Sequence, residues 1–149
     1  MSLDISIKAK VPVVKNGIGI FVRENGKTKE LTAEEAKERG WDGINREYVS
    51  EYAWTGNITH NLSGMAKAIK PKGIDYTLYE LLWMGMEKSC ADLYGKLLMC
   101  IEFTIRNKTY LERFNPPNGW GDYRTLLNFI IDLAFECEKN KDCTIEICR

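Results

Sequence analysis

The residues best suited to chemistry lie in two short blocks. The first is Trp54-Thr-Gly-Asn57-Ile-Thr59-His60-Asn61, which holds the single histidine of the chain. Imidazole is the side chain that titrates nearest neutral pH. His60 beside Asn57, Thr59 and Asn61 could therefore donate to an anionic or carbonyl ligand, or act as a general base. Asn57 is placed to N-cap a helix beginning at Ile58, whose first-turn amides would donate to a carboxylate or phosphate oxygen. The competing reading is local: a cap followed by solvated first-turn residues. Ile58, Leu62, Met65, Ala66 and Ile69 share one helical stripe, and His60 and Asn61 lie off it. On that reading, removing the imidazole should cost little stability.

The second block is Asn115-Pro-Pro-Asn118-Gly-Trp120-Gly-Asp122-Tyr123. Glycines on both sides of Trp120 let the backbone turn tightly and aim the indole. In a functional reading the loop is rigid and faces a ligand, with Trp120 and Tyr123 as flat apolar surfaces and Asn118 as a polar contact. In a structural reading it joins two helices, and Trp120 plugs the core. Both blocks precede helices, so the two helix starts are expected to share one surface.

Other reactions find less support. Gly17-Ile-Gly19 lacks the third glycine and the acidic partner of a dinucleotide fingerprint, and no phosphate-loop, zinc-protease, nucleophile-elbow or EF-hand pattern occurs. A Cys-His-Asn arrangement can be written with His60, but Cys90, Cys100 and Cys137 fall on apolar faces that do not activate thiols. Five cysteines without paired spacing predict unbridged thiols in a reducing cytoplasm; with one histidine, no metal site or cofactor is expected. Lys+Arg and Asp+Glu both number 21, so no global field recruits nucleic acid or an anionic membrane. Asp4, Lys8 and Lys10 interrupt the early apolar residues, which argues against a secretory leader, and no apolar run is long enough to span a bilayer.

The elements that must position these blocks follow from periodicity. At 149 residues the chain fits one domain, read as an N-terminal addition over 1–47 and a core unit over 48–149. Alternation at Ile5, Ile7, Ala9 and Val11, then at Ile18, Ile20 and Val22, predicts a hairpin over 4–23 turning at Asn16-Gly17. Asn25-Gly26 marks a second turn, and Thr32 with Glu35 caps a short helix ended by Gly40. A strand is predicted over 48–54, with Tyr48, Tyr52 and Trp54 on one face. A long helix over 87–108 presents Tyr94, Leu97, Leu98, Ile101 and Ile105 to the core. Asp122 caps the last helix, and Thr144 to Cys148 closes the chain as a strand expected to pair with 48–54. The predicted class is α+β, a small antiparallel sheet with three to four helices packed on one face.

Asn57-Ile-Thr-His60-Asn61, Leu82-Trp83 and Phe114-Asn-Pro-Pro-Asn-Gly-Trp-Gly-Asp-Tyr123, in this order, resemble a group of small proteins of phages, prophages and bacterial genomes. The resemblance covers residues 48–149. It implies a phage or bacterial cytoplasmic protein and supplies no activity. Taken together, the expected function is a non-enzymatic binding protein, a phage or prophage accessory factor engaging a small ligand or a host or phage protein. The site expected is Trp54, Asn57, Thr59, His60, Asn61, Asn118, Trp120 and Tyr123. The alternative is a small hydrolase or transferase using His60 as general acid/base, which requires a second ionisable group within hydrogen-bond reach.

Overall fold

A computed structural model describes residues 2–16, 18–41 and 47–149. The chain divides into two compact units, Met1–Lys10 with Tyr52–Arg149, and Val11–Glu51. Strands β1 (Ser2–Asn16) and β4 (Glu47–Thr59) each contribute to both. The turn expected at Asn16-Gly17 and the face expected for Tyr48 lie outside the described residues.

In the larger unit, β1 is the middle strand of an antiparallel sheet ordered β4-β1-β5, with β5 at Thr144–Cys148. The α+β class therefore stands, but the expected pairing of the last strand with residues 48–54 does not. The expected hairpin over 4–23 is corrected for the same reason: β1 pairs along Asp4–Lys8 with β5 instead. Leu3, Ile5 and Ile7 alternate perfectly and are wholly buried, so this end of β1 takes the place where both edges are paired. The register sets Ile5 opposite Ile147 and Ile7 opposite Ile145, bringing four isoleucines onto one face.

Helices cover that face. After β4 come a 3₁₀ turn at His60–Leu62, then α2 (Ser63–Ala68) and α3 (Leu78–Leu82). The long helices are α4 (Cys90–Arg106) and α6 (Tyr123–Lys139), separated by the short α5 (Lys108–Leu111) and a 3₁₀ turn at Glu112–Phe114. Cys90 and Cys137 lie close together at one end, while the Tyr123 hydroxyl donates to the Thr104 carbonyl at the other, 2.9 Å away. α4 and α6 are thus antiparallel neighbours. The core face of α4 is Cys90, Leu93, Leu97, Cys100 and Thr104. Leu98 and Ile105, expected inside, are exposed, because α6 on one flank and residues 73–87 on the other leave only the middle of the face fully covered. All five cysteines are unbridged. Burial alone pushes the Cys100 thiol up to about 12, and it is also the first cause that raises Cys137.

The smaller unit holds β2 (Phe21–Glu24) and β3 (Lys27–Glu30), which form an antiparallel hairpin, and α1 (Ala33–Glu38). Asn25 and Gly26 both adopt positive φ, 51° and 76°, the conformation that matches the twist of a two-residue hairpin turn. Thr32 and Glu35 complete the expected capping box. Lys29 pairs with Glu35 and Arg39 with Glu24. Among the described residues, Leu31 and Ala36 are this unit's buried apolar side chains.

Candidate functional site

The strand that opens the first block runs on to Thr59, past the helix start expected at Ile58. Asn57, Ile58 and Thr59 are the last residues of β4, which corrects the expected cap at Asn57. Ile58 and Thr59 are β-branched and suit extended backbone, and the buried Ile58 satisfies a strand pattern as readily as a helical one. Thr59 is the residue that caps: its hydroxyl accepts from the Asn61 amide at 3.3 Å, and from Asn61 Nδ2 at 3.1 Å. Asn57 stays exposed and donates through Nδ2 to the Asp4 carboxylate on β1. Trp54 is half-buried, its ring 6.0 Å from that of Phe129 on α6. Gly56 is required beneath it, since a Cβ there would run into the Trp54 indole.

His60 is not a solvated first-turn residue. Its Nδ1 accepts a hydrogen bond from Trp83 Nε1 at 2.9 Å, and it is half-buried. An Nδ1 that accepts leaves Nε2 to carry the ring proton of the neutral imidazole. Trp83 itself stacks on Tyr79 with centroids 5.6 Å apart and planes 14° from parallel, and Lys67 Nζ sits 4.5 Å above the Tyr79 ring. This ladder was missed in the sequence. Its signal was the capping box Thr77-Leu-Tyr-Glu80, which starts α3 and places Tyr79 and Trp83 one turn apart on the same face.

The second block is fixed by its own polar groups. Asn115 Oδ1 accepts from the Tyr123 amide at 2.8 Å, Asn118 Oδ1 from the Trp120 amide at 3.0 Å, and the Pro116 carbonyl from the Gly119 amide at 3.2 Å. Asp122 caps α6 as expected, its carboxylate accepting from the Thr125 amide at 2.8 Å. The Thr125 amide first, and then its hydroxyl, hold the Asp122 carboxyl below the usual range. On this frame Trp120 is 67% exposed, which rules out the core plug. Tyr123 is buried with its hydroxyl on Thr104, so it belongs to the core and offers no flat surface to a ligand.

The two blocks meet at Gly121. Its φ is 87°, and a Cβ there would lie 2.9 Å from Thr59 Cγ2 and 3.0 Å from Leu62 Cδ1. Glycine lets the loop lie directly against the 3₁₀ turn. The structure thus sets Gly121 of the second block against Thr59 and Leu62, leaves Asn57 tied to β1, and turns Trp54 and Tyr123 toward the core. No protein-family model, curated protein or solved structure matches this chain.

Other polar groups are held elsewhere. Ser6, Tyr52, Lys88 and residues 145–148 line an open cleft of about 400 Å³. The Tyr52 hydroxyl, followed by Lys8 at 3.2 Å, draws the Glu146 carboxyl below the usual range. Among the described residues no three His, Cys, Asp or Glu side chains gather as metal ligands, and no helix is long and apolar enough to cross a membrane.

Proposed function

We propose that the chain is a non-enzymatic binding protein that docks a partner protein on the surface where the 3₁₀ turn meets the loop before α6. Trp120 is the anchor. The observation that carries this reading is a tryptophan 67% exposed on a loop whose backbone is already fixed by Asn115, Asn118 and Asp122. Large aromatics dominate the energy of protein interfaces when they enter a pocket on the partner, and a polar rim excludes water around them. Asn61, Asn118 and half-buried His60 supply that rim. A loop ordered before binding loses little conformational freedom on docking. Binding is favoured over acid–base chemistry because the group that orients His60 is the Trp83 indole N–H, where a catalytic base would be held by a carboxylate.

The setting proposed is the bacterial cytoplasm, as a phage or prophage accessory factor. Five unbridged cysteines and the resemblance of the two blocks support it. The test is affinity capture from bacterial extract with the wild-type chain and Trp120→Ala immobilised side by side. A protein retained by the first and lost from the second is expected. Identical retention by both would overturn the reading.

A further inference from the structure

The two longest helices bury one side in the core and carry large apolar residues among the charged ones on the exposed side. On α4, Leu98 is 46% and Ile105 56% exposed; on α6, Ile131 is 41% and Phe135 59% exposed. Four such residues on one surface exceed the scattered exposure normal for a lone chain. Gly95 lies among them in the middle of α4. Glycine there costs about 0.5–1 kcal/mol relative to alanine. A Cβ would meet nothing within 4 Å, so no packing inside the chain calls for its absence.

We infer that this face is the interface of a two-fold dimer, in which α6 of each copy lies over α4 of the other. The antiparallel packing of the two helices and the Tyr123 hydroxyl on the Thr104 carbonyl fix which residues of the two helices stand at the same level. Phe135 stands level with the gap between Ala91 and Gly95, Ile131 with Gly95 to Leu98, and Arg124 with Glu102. A two-fold axis running parallel to the helices, between them, preserves each level and exchanges α4 for α6. It drives the Phe135 ring of one copy into the Ala91/Gly95 hollow of the second. It also sets Ile131 against Leu98 and brings Arg124 to Glu102, which within one chain pairs with its neighbour Arg106 at 2.9 Å. Knob meets hole and cation meets carboxylate from a single patch, as an isologous interface requires. The size is sufficient. Helices of 17 residues are about 25 Å long with axes about 8–10 Å apart, so each face spans roughly 500 Å² in projection. The two together reach the roughly 1,000 Å² that separates a specific interface from a chance contact.

The test is sedimentation equilibrium of the purified full chain across a wide concentration range, with circular dichroism as the check on folding. The wild type is expected to reach twice 17.1 kDa. Gly95→Leu fills the hollow without touching the chain's own packing; it should weaken association about tenfold or more while melting no lower than the parent. Phe135→Asp should do the same from the other side. Glu102→Arg should weaken the dimer, and adding Arg124→Glu should restore it. A wild-type chain that stays at 17.1 kDa at every concentration would overturn the inference, including the case where some other protein covers the face. A dimer indifferent to Gly95→Leu, or one that the paired charge exchange fails to restore, would overturn it equally.

Discussion

Trp83 and Trp120 sit in similar surroundings in the sequence, each close to a glycine and a turn, yet the fold treats them oppositely. Trp83 is 2% exposed, stacked on Tyr79, with its indole N–H given to His60. Trp120 is displayed, and the hydrogen bonds around it come from the backbone of its loop. The difference lies in what the neighbouring side chains do. Around Trp83 they satisfy the indole itself, so the residue and His60 hold the junction together. Around Trp120 they satisfy the main chain, so the indole is left for something else. A conspicuous histidine therefore holds a neighbouring indole, and a tryptophan with a packing-like setting is the residue left on view.

The sharpest way to break that contrast is Trp83→Ala. Loss of the buried ring and the cavity left behind should lower stability by about 3–5 kcal/mol, read as a fall in the thermal or denaturant midpoint. Gly121→Ala comes next. A positive φ and a Cβ pressed on Thr59 and Leu62 should cost about 2–4 kcal/mol by strain and overpacking. His60→Ala leaves the Trp83 N–H buried without its acceptor, and should cost about 1–3 kcal/mol. This reverses the small effect expected from spacing alone; a His60→Ala protein that melts with the parent would restore the solvated histidine. Trp120→Ala should be the mildest, within about 0.5 kcal/mol, as for surface substitutions away from special geometry.

What the sequence made legible was local. The capping boxes at Thr32 and Asp122, the Asn25-Gly26 turn and the closing strand each depend on residues within a few positions of one another. What it hid was distant in the chain. Asn57 meets Asp4 across 53 positions and His60 meets Trp83 across 23, and nothing in their spacing announces either pair. The pairing of β5 with β1 was obscured because two apolar strands, 2–8 and 52–58, compete on pattern for the same central place. Periodicity identified α4 as a core helix but not which of its two apolar arcs faces inward, since that depends on neighbours in space. The Trp120 loop was visible as a motif, and only the fold could decide between plug and display.

The central claim is that the displayed tryptophan binds while the buried one builds. It is tested most directly by measuring, with the partner recovered by capture, the dissociation constants of wild type and Trp120→Ala beside their melting midpoints. The predicted result is affinity lower by about 2 kcal/mol or more, roughly 30-fold, with midpoints within about 2 °C of each other. Equal affinities, or a loss of binding accompanied by a comparable loss of stability, would contradict it.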